Sequence, residues 1–494
     1  MDASPRAVAP LLAVWLLLLA AFFTPTATWS PMSRFAVTRA AASGEGFRLG
    51  AWAAATGDRA RVGEAWYSDK APLPALLGVA PYALVRAIHR ALGRPVPAFQ
   101  AETRGEVPAV RVTLNASAKQ LLHATAMGVS GAAFVVLALH VHAMLRRRHG
   151  PRAAFVATSL VCLGTPILPY ATSLYGHVPA AAFLTVALAS LDPRAPRVRP
   201  VLAGACLVAA VGCEYLAVIP GALLGAYALL SVEPRSLPKR LAWLALGALP
   251  VIALLATYQT LCFGAPWRTG YSHLTNPIFV AGHARGLMGI GLPSSEALVG
   301  LLVSSRRGLF YVAPIAALAV ASFALRARSV DGEVPPREGP RVLRWLGADP
   351  LLGLGGLALL ALFLANAGYY MWWGGAAAGP RHLVPALPVL AFGLARVWER
   401  EKVRPLVLLA GALSVLVMLG VTAVGIEAPE TGDVIGEFIL PRLRAVEISA
   451  FPSATNLGLL FGLPPFLSLV PWLAWLAIVG RILWRRAVAE EAAS

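Results

Sequence analysis

Charge is the scarcest resource of this chain. Of its 494 residues only 13% are Asp, Glu, Lys or Arg, where a soluble domain carries about a quarter. Acidic residues are the rarest: 24 against 42 basic ones, for a formal net charge of +18. So apolar a composition excludes a disordered or collagenous chain. Cysteine is nearly absent. Cys162, Cys206, Cys213 and Cys262 lie in apolar stretches and show no metal-ligand spacing, so they read as small core residues and not as a disulfide framework. There is no Walker A loop and no glycine fingerprint after a strand, which speaks against an ATP-driven pump and a soluble nucleotide-sugar transferase.

What the chain has instead is hydrophobic length: 58% of it is hydrophobic. That predicts one integral membrane domain over residues 1–494, an all-α polytopic protein of about 12 transmembrane helices. The apolar runs are Val8–Phe23, Leu121–Leu145, Ala153–Pro169, Val178–Leu191, Val201–Gly212, Leu216–Leu230, Leu241–Phe263, Leu309–Leu325, Leu351–Ala365, Leu383–Leu394, Leu406–Val424 and Leu457–Val479. The first reads as an uncleaved anchor; Arg6 before it and the small residues after it suggest a signal peptide as the rival, but no clean small-x-small site precedes a soluble domain.

Every second break between runs is short and rich in arginine, as at Arg146-Arg147-Arg148, at Arg194 to Arg199, at Arg235 to Arg240, and at Arg326 to Arg344. These breaks and the termini hold about 23 of the 42 basic residues, which predicts that they are cytoplasmic. The charge is thus spread over loops and does not form one patch for nucleic acid. Two long loops, 24–118 and 264–308, fall on the outer side. Phe35–Ala42 and Leu73–Leu92 in the first are amphipathic and read as interfacial helices, the alternative being core helices of a small outer domain. Gly286–Val303 contains Pro293 and Glu296 and reads as re-entrant or interfacial.

The polar residues near these outer loops carry the chemistry. Trp66-Tyr67-Ser68-Asp69-Lys70-Ala71-Pro72 lies in the first loop, Tyr175-Gly176-His177 caps a span, and Glu214 stands between two apolar runs. Tyr271 and His273 open the second long loop, Arg306-Arg307 close it, and Tyr369 to Trp373 precede Arg381-His382. A carboxylate can take a proton from a hydroxyl, arginine and lysine can hold a phosphate, and interfacial aromatics suit a sugar ring or a lipid head. Ionisable groups this close to a membrane are functional candidates because burying them is costly. The bland readings are an exposed turn at Asp69-Lys70, arginines that snorkel, and an aromatic belt.

With these strings in place the chain resembles the GT-C superfamily of membrane glycosyltransferases, in particular bacterial relatives of protein mannosyltransferases and the lipid A aminoarabinose transferase. YSDKAP matches their [DE]-K-x-P element after an aromatic residue. GYSHLTNP, SSRRGLFYVAP and YYMWWGGAAAGPRHLVPALP resemble further segments. The resemblance implies a GT-C-like fold with interfacial helices in the first outer loop, in the bacterial cytoplasmic membrane, with the active site facing outward. It implies transfer of a sugar from a polyprenyl-phosphate donor to an envelope glycan, lipid or protein by a single inverting displacement.

In this family an acidic residue usually follows the first span, whereas here TWSPMSRFAVTRAAASGEGF offers none before Glu45. The base role then falls to Asp69, with Asp58 or Glu45 as alternatives. Lys70, Arg306, Arg307 or Arg381 would hold the phosphate. Tyr67, His177, Glu214, Tyr271, His273 and His382 would bind substrate. No spacing supports a metal site, and a divalent metal is left open. The rival class is a transporter or flippase of similar span count with Glu214 in its pathway, although no repeat relates the halves. A third reading is a non-catalytic scaffold of envelope assembly.

Overall fold

Backbone in lipid must satisfy its own hydrogen bonds, and the apolar runs do so as helices. The computed structural model describes residues 8–104, 107–324, 350–449 and 454–493. The arginines expected at 326, 328, 337, 341 and 344, with Leu325, lie outside the described residues.

Helix α1 (Val8–Ala21) is followed by α2 (Trp29–Ala42), a hairpin of β1 (Arg59–Val62) and β2 (Ala65–Ser68), α3 (Leu73–Leu77) and α4 (Val79–Ala91). A second hairpin, β3 (Phe99–Arg104) and β4 (Val107–Leu114), leads into α5 (Ala116–Ala126) and α6 (Ala132–Leu163). Gly150, at φ 78°, and Pro151 split α6 into two arms, since the left-handed backbone and the missing N–H both end a helix. Then come α7 (Ile167–Ala171), α8 (His177–Leu191), α9 (Pro200–Cys213), α10 (Val218–Leu230) and α11 (Leu237–Phe263). The second long loop carries α12 (Pro277–His283) and α13 (Ser295–Val303). The remaining helices are α14 (Leu309–Val312), α15 (Ile315–Ala324), α16 (Pro350–Ala367), α17 (Leu390–Trp398), α18 (Arg404–Val424), α19 (Leu440–Arg444), α20 (Leu457–Leu460) and α21 (Val470–Ala493).

The protein is therefore helical, with two small hairpins among the described residues. Among the described residues five helical stretches are long and apolar enough to cross a membrane by length and composition, and four shorter apolar helices accompany them. Three expected runs are interrupted where proline removes a backbone donor. The run at 383–394 is a 3₁₀ turn over Arg381–Val389, with Pro385 and Pro388 inside it, before α17. The run at 457–479 breaks after α20 around Pro464-Pro465, and helix resumes at Val470. The run from Leu309 breaks at Pro314 between α14 and α15.

The stretch 286–303 opens with a turn in which Gly286, Met288 and Gly289 have positive φ. It then forms the nine-residue α13, which at 1.5 Å per residue is too short to cross a bilayer. In the first long loop the two helical segments differ from each other. Helix α2 is buried on nearly every side, including Met32, Arg34 and Phe35. Helix α4 keeps exposed apolar Leu84 and Ile88, continued by its C-cap Leu92, at the i, i+4, i+8 spacing of one helix face.

Helix α6 packs against both α8 and α17, α9 lies between α8 and α11, and α1 pairs with α21. The α1–α21 contact is keyed by indole groups: Trp472 Nε1 donates to Leu19 O at 3.1 Å and Trp475 Nε1 to Trp15 O at 3.2 Å. All four cysteines are free and buried. At one end of the bundle Asp192, which follows α8, accepts from Arg148 at 2.8 and 2.7 Å and from Arg147 at 3.1 Å. Removing a buried carboxylate leaves its arginines uncompensated, a loss of about 3 kcal/mol. Asp192→Ala is expected to lower the thermal unfolding midpoint of the purified protein clearly; an unchanged midpoint would contradict the packing role.

Candidate active site

The opposite end of α8, at His177, faces the loops, and the two hairpin strands organise it. The register Arg59↔Ser68 to Val62↔Ala65 places Asp58, before β1, opposite Asp69, after β2. Lys70 bridges them: its Nζ lies 3.2 Å from Asp58 Oδ2 and 3.3 Å from Asp69 Oδ2. Helix α2 fixes this open end of the hairpin. Ser33 Oγ donates to Asp58 O at 2.6 Å and stands 2.7 Å from Ser68 Oγ, which also accepts from Lys70 N at 3.2 Å. With the Ser33 proton spent on the carbonyl, Ser68 donates to Ser33. Asp69 is 1% exposed, and its Oδ1 has no hydrogen-bond partner.

Burial pushes the Asp69 carboxyl up to about 6, with Lys70 opposing and Asp58 adding to the rise. Burial alone would lower Lys70, but Asp58 and Asp69 together raise it, so it stays an ammonium.

A second cluster adjoins. Arg34 from α2 is buried; it donates to Ser30 Oγ, and its Nη2 stands 3.8 Å from Glu214 Oε2. His177 Nδ1 is 3.3 Å from the same oxygen. Glu214 follows α9, and burial raises its pKa against the pull of Arg34, Arg381 and Lys70. The approach is so close that a Cβ on Gly176 would sit 2.0 Å from Cys213 O and 2.7 Å from Glu214 Oε2. The His177 ring lies 5.9 Å from His382. His382 Nδ1 meets Asn366 Oδ1 at 2.9 Å, and Asn366 Nδ2 donates to Trp372 O at 3.3 Å. The amide orientation makes Nδ1 the protonated nitrogen and leaves the Nε2 lone pair free. Burial, with Arg381 and Lys70 nearby, pushes His382 down to about 3, so it is a neutral acceptor.

The three candidate arginines separate by partner. Arg381 makes no ion pair among the described residues. Its guanidinium lies 5.7 Å over Tyr175, its Nε is buried without a partner, and the left-handed Gly374 backs it so closely that a Cβ there would be 3.1 Å from Nε. Arg306 covers Trp373 at 5.0 Å and Trp372 at 5.5 Å. Arg307 is 1% exposed and spends its donors on carbonyls: Trp373 at 3.0 Å, and Arg306, Gly375 and Pro429 at 2.8 Å each. That guanidinium staples three loops together.

Of the residues singled out in the sequence, Asp69, Lys70, His177, Glu214, Arg381 and His382 converge. Tyr271 stacks on His283 at 4.3 Å and stands 5.4 Å from Tyr215. Tyr67 is turned into the core against Phe263 at 5.8 Å, and His273 stacks on the same ring at 5.5 Å. Sequence reasoning missed Arg34, Asn366 and Glu427 as neighbours. Glu427 had the signal that flagged Glu214, a lone carboxylate beside an apolar run. Among the described residues no group of three or more His, Cys, Asp or Glu is placed to hold a metal.

No protein-family model and no curated protein matches the chain. Solved structures similar to it include two of ArnT from Cupriavidus metallidurans. The one bound to undecaprenyl phosphate is 14% identical, with a TM-score of 0.49, covering 98% of this chain and 76% of that one. The apo form is 13% identical, with a TM-score of 0.49, covering 99% of this chain and 76% of that one.

The loop at Gly270–His273 braces the hairpin through the Ala60↔Leu274 bridge. A Cβ on Gly270 would stand 2.5 Å from Asp69 Cα. Gly270→Ala is expected to destabilise the protein by roughly 2 kcal/mol in thermal unfolding. Gly225→Ala, whose nearest neighbour would be 3.8 Å away, is expected to be tolerated. Equal tolerance of both would contradict the close packing behind Asp69.

Proposed function

We propose that this chain is a glycosyltransferase of the cytoplasmic membrane of a bacterium, acting at its outer face. It moves a sugar from a polyprenyl-phosphate donor to a hydroxyl of an envelope glycan, lipid or protein. The observation that carries the reading is a buried carboxylate with one oxygen held by Lys70 and the other unpartnered, in a site that also holds an unpaired arginine, Arg381. That is the pairing a displacement at an anomeric carbon requires: a base for the acceptor and a cation for the leaving phosphate.

Asp69 Oδ1 takes the proton of the acceptor hydroxyl as its oxygen attacks the anomeric carbon. The bond from that carbon to the phosphate oxygen breaks, and the phosphate leaves with the electron pair. Arg381 receives its charge, and Arg306, on its tryptophan pair at the loop, extends the cationic entry. Lys70 holds Asp69 in place and lowers the cost of its ionised form. Glu214, His177 and the free His382 Nε2 accept from sugar hydroxyls, and Tyr271 offers a ring face. One displacement inverts the anomeric centre. Arg307 holds the loops, and Tyr67 and His273 support the hairpin from the core. Glu214, 3.8 Å from Arg34 Nη2 and 3.3 Å from His177 Nδ1, shares its charged neighbourhood with Lys70 and Arg381, which favours a sugar site over a transport pathway.

The test is transfer from radiolabelled glucosyl, mannosyl and arabinosyl undecaprenyl phosphates to envelope extract by the purified protein. The wild type is expected to transfer at least one of these sugars. Asp69→Asn is expected to lose about 10²- to 10⁴-fold in rate while expressing and folding normally; full activity would overturn the base assignment. Arg381→Ala is expected to lose about 10²-fold and to weaken binding of undecaprenyl phosphate itself. Unchanged binding would remove Arg381 from the phosphate site.

A further inference from the structure

One buried carboxylate remains without a role in that scheme. Glu427 follows α18 in the segment Ile426-Glu427-Ala428-Pro429 and is 8% exposed. Its Oε1 accepts from the hydroxyls of Thr26 and of Thr28, the latter at 2.8 Å. Both threonines lie between α1 and α2, so the contact joins positions about 400 residues apart. Its Oε2 is buried and has no partner. An acceptor without a donor in a buried place is costly. Both threonine protons are committed to the other oxygen, which leaves Oε2 open to a donor brought by a ligand.

The surroundings say what kind of donor. Arg307 donates to Pro429 O and to Gly375 O, and Ala377 N donates to Ala428 O at 3.1 Å. These bonds tie the Glu427 loop to the glycine turn that backs Arg381. Glu427 and Arg381 are close enough for their charges to act on each other, and Tyr175 feels the Glu427 charge as well. With the Arg381 guanidinium acting on it, and no group of three or more His, Cys, Asp or Glu placed to hold a metal among the described residues, a metal or an ammonium ion is a poor fit. A neutral hydroxyl is a good one.

We propose that Glu427 is a substrate-binding residue whose Oε2 accepts a hydroxyl of the transferred sugar, on the Arg381 side of the site. The proposal rests on the sugar-transfer reading above. Glutamine preserves the shape and keeps an oxygen for the threonines, but turns the free acceptor into a donor.

The experiment measures donor KM and kcat for wild type and Glu427→Gln with whichever of the three labelled donors the wild type transfers best. Binding of undecaprenyl phosphate, which lacks a sugar, is measured alongside. KM is expected to rise roughly tenfold, the value of one charge-assisted hydrogen bond, with kcat little changed and undecaprenyl-phosphate affinity unaltered. An unchanged KM overturns the proposal. So does a parallel loss of undecaprenyl-phosphate affinity, which marks Glu427 as a purely structural brace. If the wild type transfers no sugar from any donor, the sugar-transfer reading fails and this one falls with it.

Discussion

A single ammonium group holds the open end of the β1–β2 hairpin together. Lys70 stands between Asp58 and Asp69 at 3.2 and 3.3 Å, and neither carboxylate could be kept so well sealed without it. Two negative charges share one positive one, so the cluster carries an excess that Arg34 and Arg381 offset at longer range. The balance leaves Asp69 ionisable but reluctant, which is the condition of a useful base. Around this clamp the neighbouring elements have fixed positions. Helix α2 presents Ser33 to the hairpin end, the Gly270 loop lies on the Asp69 backbone, and α3 begins right after Pro72.

The same economy of charge shapes both ends of the bundle. At one end of α8, Asp192 is sealed by Arg147 and Arg148 and nothing is left over; at the other, His177 meets Glu214 among groups that remain incompletely satisfied. Asp69 Oδ1, Glu214 Oε2, Glu427 Oε2, Arg34 Nε and Arg381 Nε all lack hydrogen-bond partners. A fully paired network is a structural device, whereas a cluster of buried groups with open valences is a candidate for ligand binding. Arg307, consumed by carbonyls, and Arg381, whose Nε has no partner, differ in this way within one loop system.

Much of the helical layout was legible in the sequence because apolar length is a one-dimensional signal. It was lost where proline intervened: Pro385 and Pro388 tighten an apolar run into a 3₁₀ turn, and Pro464-Pro465 delay the last helix to Val470. The two hairpins were not foreseen, since a four-residue strand such as Arg59–Val62 leaves too little alternation to read. Asp69 and Lys70 stood out because they are adjacent. Arg34, Asn366 and Glu427 did not, because their importance comes from contacts across tens to hundreds of residues, and Arg307 looked like Arg381 until its partners could be seen. The stretch after α1 offers no carboxylate of its own; the fold brings Glu427 to Thr26 and Thr28 from the far end of α18.

The central claim is that Asp69 works as the base because burial raises it to about 6. The most direct measurement is the pH dependence of single-turnover sugar transfer between pH 5 and 8. A base must be deprotonated to act, so the rate is expected to fall about tenfold per pH unit below about 6 and to level off above it. A rate independent of pH across that range would contradict the account.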